Sequence, residues 1–132
     1  MSVTTTAAPA KSLIIGGLIA TAIAAAATTA VAAVGSATGI SLVVGGTEIP
    51  VPGFTALTVI FSVLGLVLAL VLARTVGHPR AVFVRTTIVL TALSLVPDVL
   101  ADAAVNTKIL LMVAHLVAAA IVIPAVARRL SA

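Results

Sequence analysis

The sequence predicts an all-α integral membrane protein, with four transmembrane helices in an antiparallel bundle and a small outer β-hairpin between helices 1 and 2. The first observation is composition. Hydrophobic residues make up 62% of the 132 residues and charged residues 8%, against roughly 45–50% and about 25% in soluble domains. A soluble domain of this length could not bury so much apolar surface. The second observation is that the few charges divide the chain into four apolar stretches, and we expect a single domain over residues 1–132.

Three of the four apolar stretches approach or exceed the roughly 20 helical residues needed to cross about 30 Å of hydrocarbon. They cover residues 12–34, 53–73 and 109–127. The last of them is interrupted only by His115 and Pro124. Each is predicted to form one transmembrane helix.

The remaining stretch, residues 86–97 between Arg85 and Asp98, is too short to span the bilayer by itself. It spans if the Arg85 side chain extends to the interface and Asp98 lies inside the opposite end of the helix. A re-entrant segment would instead leave unpaired backbone groups in lipid. The predicted helices are therefore residues 12–34, 53–73, 81–102 and 107–127.

The amino-terminal segment also has features of a cleaved signal peptide. Lys11 precedes its apolar run, and small residues follow over residues 30–37. The run is longer than the roughly 7–15 residues of a signal-peptide core. We expect a retained helix, whereas cleavage would leave three spans.

The first predicted helix is rich in alanine and threonine and poor in large side chains. Small residues let transmembrane helices approach closely, so this helix is predicted to face its neighbours more than lipid. Gly16 with Ala20, and Gly65 with Ala69, fit the small-xxx-small pattern of close helix contacts. The pattern is compatible with packing inside the bundle and with dimerisation.

Charge is distributed unevenly between the two predicted ends of the bundle. Six of the seven basic residues fall beside one end: Lys11, Arg74, Arg80, Arg85, Arg128 and Arg129. The three acids fall beside the other end together with the last basic residue: Glu48, Asp98, Asp102 and Lys108. Basic residues favour the cytoplasmic side, so both termini are predicted in the cytoplasm. The five arginines are candidate contacts for anionic lipid head groups; the alternative is that the positive-inside rule alone accounts for them.

The segment between the first two helices is predicted to form a hairpin over residues 40–51. Its apolar residues alternate with others around Gly45-Gly46: Leu42, Val44, Ile49 and Val51. A Gly-Gly pair suits the tight turn of a β-hairpin. An isolated hairpin is only marginally stable in water, so its apolar side is expected to rest on the helix ends as a lid.

Four short patterns carry a family resemblance. They are Val51-Pro-Gly-Phe54, Gly77-His-Pro-Arg80, Leu95-Val-Pro-Asp98 and the run from His115 to Arg129. On these patterns the chain resembles an uncharacterised actinobacterial family of small four-helix integral membrane proteins. The resemblance implies a bacterial plasma membrane, agrees with the four predicted spans, and brings no established activity or functional residue with it.

The residues offer little for catalysis. Without cysteine, the chain has no thiol centre, disulfide framework or cysteine-ligated metal. No His-rich metal spacing, Gly-rich phosphate loop or serine with a base and an orienting acid is recognisable. We predict a protein that is not an enzyme and has no metal or cofactor. Nucleic-acid binding is not expected either, because the chain offers no basic stripe or stacking platform.

One group of ionisable residues is unusual for a membrane span: Asp98, Asp102, Lys108 and His115. Ionisable groups within a span are costly, which makes this cluster a functional hypothesis. Asp98 and Asp102 would share one helix face, and Lys108 and His115 one face of the next helix. We expect Asp98 within reach of His115, with an Asp102–Lys108 pair above them.

A structural alternative exists for the same residues. The two aspartates would lie in the head-group zone, cap the following helix together with Asn106 and pair with Lys108. His115 would then bond a neighbouring carbonyl or threonine. For the Asp98–His115 contact, Pro97 is expected to loosen its helix beside Asp98 and to free a carbonyl as a further polar partner.

Two functions follow from this pattern. The favoured one is a non-catalytic multi-pass membrane component, acting as a subunit, stabiliser or assembly partner. The alternative is a small oligomeric transporter or proton-coupled carrier that uses Asp98, Asp102 and His115. The expected partners are the lipid bilayer and another membrane protein or further copies of the chain.

Overall fold

The computed structural model describes residues 7–132, with side chains from Ala10 onward. It contains four long helices: α1 (Ala7–Ala37), α2 (Val51–Thr75), α3 (Pro79–Leu100) and α4 (Val105–Ala127). A two-stranded hairpin lies between α1 and α2, formed by β1 (Val43–Val44) and β2 (Thr47–Glu48). All four helices are long and apolar enough to cross a membrane. The predicted fold class is confirmed.

The helices begin earlier than predicted, and prolines explain two of these starts. Pro52 lies in the first turn of α2, and Pro79 is the first residue of α3. Proline is tolerated there because the first backbone N–H groups of a helix have no intrahelical partner. Val51, predicted as the end of the hairpin, therefore belongs to α2.

The helix α1 lies at the centre of the bundle. It packs against α2 on one side and α4 on the other, whereas α3 packs mainly against α4. In the apolar window of α1, 39% of the residues are buried, against 17% in α3. Of the four helices α1 is therefore the most buried, although less than half of this stretch is buried.

Two clusters of buried side chains hold the ends of the bundle together. At the end where α1 begins and α4 ends, called the terminal end, the cluster includes Leu13, Phe83 and Val126. At the opposite end, called the hairpin end, the cluster comprises Ala32, Leu42, Phe54, Leu110 and Ala114. Leu42 belongs to the hairpin segment, so this segment is part of the core.

The hairpin is anchored to the bundle by hydrogen bonds as well as by burial. Gly45 and Gly46 form its turn with positive φ angles of 58° and 80°, which glycine adopts without steric cost. The Gly45 N–H donates to the Asp102 carbonyl at 2.8 Å. The Thr107 hydroxyl donates to the Ser41 carbonyl at 2.5 Å. The predicted lid on the helix ends is confirmed.

Candidate functional site

Asp98 and His115 form a direct hydrogen bond between α3 and α4. Nδ1 of His115 lies 2.6 Å from Oδ2 of Asp98 and 3.0 Å from the Leu111 carbonyl oxygen. A carbonyl can only accept, and a carboxylate accepts, so this pattern assigns the Nδ1 proton to the ring. The contact expected from the sequence is formed. The bond to Leu111 matches the carbonyl partner that the structural alternative expected for His115.

The two side chains of this pair differ in burial. The Asp98 side chain is 9% exposed and that of His115 is 43% exposed. The second ring nitrogen of His115, Nε2, has no hydrogen-bond partner among residues 10–132. In the same residues every fully buried side-chain nitrogen or oxygen has a hydrogen-bond partner. Oδ1 of Asp98 has no hydrogen-bond partner there, so this oxygen is not fully buried and retains contact with the surface.

The pair lies inside the apolar belt of the bundle. His115 follows the start of α4 by ten residues, which is about 15 Å along the helix axis. On the side of the hairpin end, Leu100 and Val105 are strongly exposed, at 76% and 72%. On the other side, Leu93 and Leu116 are also exposed. Exposed large apolar residues on both sides of a polar pair are typical of a surface that faces lipid, although Asp98 lies only two residues before the end of α3.

A shallow apolar groove runs from this pair towards the terminal end, between α3 and α4. It has a volume of about 460 Å³. Its lining residues are Ile88, Thr91, Ala92, Leu95, Leu116, Ala119, Ala120, Ile123 and Pro124. Leu95 precedes Asp98 by one turn, and Ala119 follows His115 by one turn, so pair and groove form one surface. We call this surface, the Asp98–His115 pair with the groove, the α3–α4 face.

The other two members of the predicted cluster lie elsewhere. α3 ends at Leu100, so Asp102 is outside the helix and does not share a helical face with Asp98. The Lys108 ammonium donates to the Val99 carbonyl at 2.9 Å, and no Asp102–Lys108 ion pair occurs in residues 10–132. The physical reason is local: the last carbonyls of α3 have no intrahelical donor and attract the cation.

The structural alternative for the aspartates is not formed either. The N-cap of α4 is Ala104, without a side-chain cap, so neither aspartate nor Asn106 caps this helix. Asp98 is buried on α3 and turned towards α4, where it bonds His115. Pro97 lies within α3, which continues to Leu100.

The arginines predicted to contact lipid head groups divide into two sets. Arg80 Nε donates to the carbonyls of Ala127 and Leu130, both at 3.0 Å, and so binds the carboxyl-terminal end of α4. Arg129 Nη1 donates to the Ser12 hydroxyl at 3.1 Å. The other three arginines, Arg74, Arg85 and Arg128, are exposed. They stay candidates for head-group contacts.

Hydroxyl pairs between α1 and α2 were missed by sequence reasoning. The hydroxyls of Thr28 and Thr58 share a hydrogen bond of 2.7 Å, and those of Thr29 and Thr55 share a shorter one. The sequence feature that could have predicted these bonds is a Thr-Thr pair in an alanine-rich helix, with two threonines in the next helix. Interhelical hydroxyl bonds of this kind fix the register of transmembrane helices.

Comparison with protein families assigns the chain. The model of DUF6069, a family of unknown function, matches residues 8–132. The chain belongs to DUF6069. The resemblance to an uncharacterised family is thereby confirmed. Membership of this family assigns no role to any residue. Comparisons with curated proteins and with solved structures gave no match.

Proposed function

We propose that this protein is a non-catalytic multi-pass component of a bacterial plasma membrane, with both termini in the cytoplasm. It acts as a subunit, stabiliser or assembly partner by packing its α3–α4 face against another transmembrane helix. The observation that supports the proposal is the 43% exposed side chain of His115 within a belt of exposed apolar residues.

The physical argument concerns the exposed imidazole. A polar group that faces hydrocarbon without a hydrogen-bond partner is costly, and ionisable groups within a span normally face protein or a water-filled cavity. Asp98 partners only one nitrogen of the ring. A second helix on this face supplies a partner for Nε2 and removes the imidazole from lipid.

The shape of the groove supports the same function. Three of its nine lining residues are alanines, Ala92, Ala119 and Ala120, beside larger side chains such as Leu95 and Leu116. Small residues permit close approach of a second helix, and van der Waals packing drives association in lipid. α3 is also the helix with the smallest buried share, so it has the most surface to offer.

A small oligomeric transporter or proton-coupled carrier is the second candidate. A carboxylate–imidazole pair can exchange a proton, which favours this function. Two observations favour the first candidate. The pair opens on the outside of the bundle, and the side chain of Asp102 lies on the turn after α3 rather than beside Asp98.

A photo-crosslinking amino acid at Leu116 tests the proposal in native membranes. The matched control is Leu57 of α2, which has the same exposure, 49%. Protein adducts are expected at Leu116 and not at Leu57. The substitution His115→Leu should reduce the adduct yield while the helical content stays unchanged.

Lipid adducts alone at Leu116 would contradict association through this face. Flux assays separate the second candidate from the first. If His115→Leu abolishes pH-dependent flux in reconstituted vesicles of a folded protein, the carrier function replaces the proposed one.

A further inference from the structure

We infer that the occupant of the α3–α4 face is a second copy of this chain, related by a two-fold axis along the membrane normal. In this dimer, His115 of each copy bonds Asp98 of the other. The inference rests on the proposed function and names its partner. It depends on three properties of the face: depth, hydrogen-bonding capacity and shape.

Depth restricts which groups can meet. Two copies inserted in the same direction can be related by a two-fold axis only if that axis is parallel to the membrane normal. Such an axis moves no atom along the normal, and the interface is built from the same surface of both copies. His115 and Asp98 already lie at one depth, because their side chains touch at 2.6 Å. In such a dimer the two pairs therefore lie at the same depth, and they meet when the axis passes beside the α3–α4 face.

The pair carries both groups that such a meeting needs. Nε2 of His115 has no partner in the described part of the chain, and the ring is 43% exposed. Oδ1 of Asp98 retains surface contact, because buried side-chain oxygens without partners do not occur in that part. Nδ1 already donates to Oδ2, so one further proton between Nε2 of one copy and Oδ1 of the other forms a hydrogen bond whichever of these two atoms holds it. Two such reciprocal bonds complete both pairs, and the four groups together carry no net charge.

The apolar part of the face is also self-complementary in size. Three large side chains on α3 are exposed: Val89, Leu93 and Val96. Each of them comes directly after a residue that lines the groove, namely Ile88, Ala92 and Leu95. They form a ridge beside a groove that three alanines help to line. In a two-fold arrangement the ridge of each copy enters the groove of the other, which is how small-residue interfaces pack in lipid.

Single cysteines test the inference cleanly, since the chain has none of its own. Ala92→Cys and Ala120→Cys place a thiol in the groove, and Ala56→Cys places one on the exposed face of α2 as the control. We expect oxidation in phosphatidylethanolamine–phosphatidylglycerol vesicles to give a species of twice the 13.0 kDa monomer mass. It should form for the groove variants and not for the control.

A second measurement follows the hydrogen bonds. The dimer dissociation constant in the same vesicles, measured by energy transfer on dilution with lipid, should rise roughly 10- to 1,000-fold for His115→Leu, because the dimer loses two interhelical hydrogen bonds of about 3- to 30-fold each. Ala120→Trp fills the groove without touching the pair, and it should also abolish the dimer. This variant keeps the test valid if His115→Leu disturbs folding.

The outcomes separate this inference from the proposed function. No cross-link at either groove cysteine, with His115-dependent capture of a different protein by the probe at Leu116, overturns the second copy and leaves the proposed function intact. No protein adduct in either experiment overturns both. Equal cross-linking of Ala56→Cys and the groove variants shows random collision and overturns the dimer.

Discussion

Single glycines determine how closely α1 approaches its neighbours. A Cβ atom on Gly17 would lie 2.5 Å from Leu66 Cδ1, and one on Gly35 would lie 2.7 Å from Leu110 Cδ1. Contacts of this length are not tolerated without movement of the neighbour. Gly65, in contrast, has no neighbouring atom within 4 Å of such a Cβ. The closest helix contacts of α1 are thus at Gly17 and Gly35, outside the predicted small-xxx-small pairs. Of the two glycines in those pairs, Gly16 lies against Arg129 and Gly65 has no such neighbour.

The substitution Gly17→Ala should destabilise the protein by about 1–3 kcal/mol, because the added methyl group overpacks the contact with Leu66. Gly65→Ala is the matched control, and it should leave stability unchanged or raise it slightly through helix propensity. Thermal unfolding in mild detergent, followed by circular dichroism, measures both. Equal losses in the two variants would show that Gly17 does not set the α1–α2 distance.

Arginine side chains also have separate roles at this scale. Arg80 neutralises the carboxyl-terminal carbonyls of α4, where a cation is favourable against the helix dipole. Arg129 lies over Gly16, whose Cβ would approach its Nε to 1.8 Å. These two arginines bind their own chain, so head-group contacts are expected first from Arg74, Arg85 and Arg128.

At the scale of helices, paired threonines connect α1 to α2. Thr28 is 1% exposed, and its hydroxyl bonds that of Thr58 at 2.7 Å. Replacing one partner leaves a buried hydroxyl without its bond, whereas replacing both removes the two polar groups together. The energetic coupling between the two positions should therefore be measurable.

We predict that Thr28→Val and Thr58→Val each cost about 0.6–1.7 kcal/mol, the range found for interhelical hydrogen bonds in membranes. The double variant should cost less than the sum of the two. Thr75→Val serves as the control, since the exposed Thr75 bonds only its own helix at Val71. The free energies of unfolding in detergent of the unmodified protein, the two single variants and the double variant complete a double-mutant cycle. Strict additivity would argue against a bond between the two hydroxyls.

The hairpin segment is the second element with a testable attachment. Thr107 is fully buried, and its hydroxyl bonds the Ser41 carbonyl. Thr107→Val should loosen the segment and expose the peptide bond after Glu48 to a glutamyl endopeptidase. Thr47→Val, at an exposed hairpin position, is the control and should be cut as slowly as the unmodified chain. Rapid cutting of the unmodified chain in intact membranes would contradict a packed lid.

At the scale of the whole molecule, the bundle has a strongly basic terminal end. Six basic residues lie there, and the three acids lie towards the hairpin end with Lys108. This separation is the asymmetry that sets orientation in a membrane. It supports the proposal that the terminal end is cytoplasmic.

Reporter fusions test the orientation directly. A reporter after Ala132 should report the cytoplasm, and one in the Gly45-Gly46 turn should report the opposite side. Replacing Arg74 and Arg85 together with glutamine should increase the fraction of inverted molecules, whereas Lys108→Gln should not. Arg80 is left unchanged because it binds α4. A carboxyl-terminal reporter outside the cytoplasm would contradict the proposed orientation.

Much of the fold could be predicted from the chain because hydrocarbon imposes simple constraints. Apolar length predicted all four helices, including α3 with Arg85 and Asp98 inside its bounds. Glycine chemistry predicted the hairpin turn at Gly45-Gly46. Helix spacing also placed Asp98 within reach of His115, since rise per residue is nearly constant along a helix.

The prediction for Asp102 and Lys108 was wrong because it continued the same arithmetic past the end of α3. The backbone turns into an extended conformation at Ala101, and the Asp102 carbonyl accepts from the hairpin at Gly45. A contact between segments more than fifty residues apart in the chain cannot be read from local spacing. Lys108 then bonds the nearest unpartnered carbonyl of α3, at Val99.

The sequence by itself determined that this is a membrane protein, that it has four long apolar helices and that its charges are separated between the two ends. These properties depend on local apolar length and on charge position. Only the tertiary structure decided which surfaces meet. Close packing of α1 depends on the shapes of residues from α2 and α4, such as Leu66 and Leu110. The direction in which His115 faces depends on how α3 lies against α4. How deeply a residue is buried depends on the residues around it, and these are decided by how the helices pack against each other.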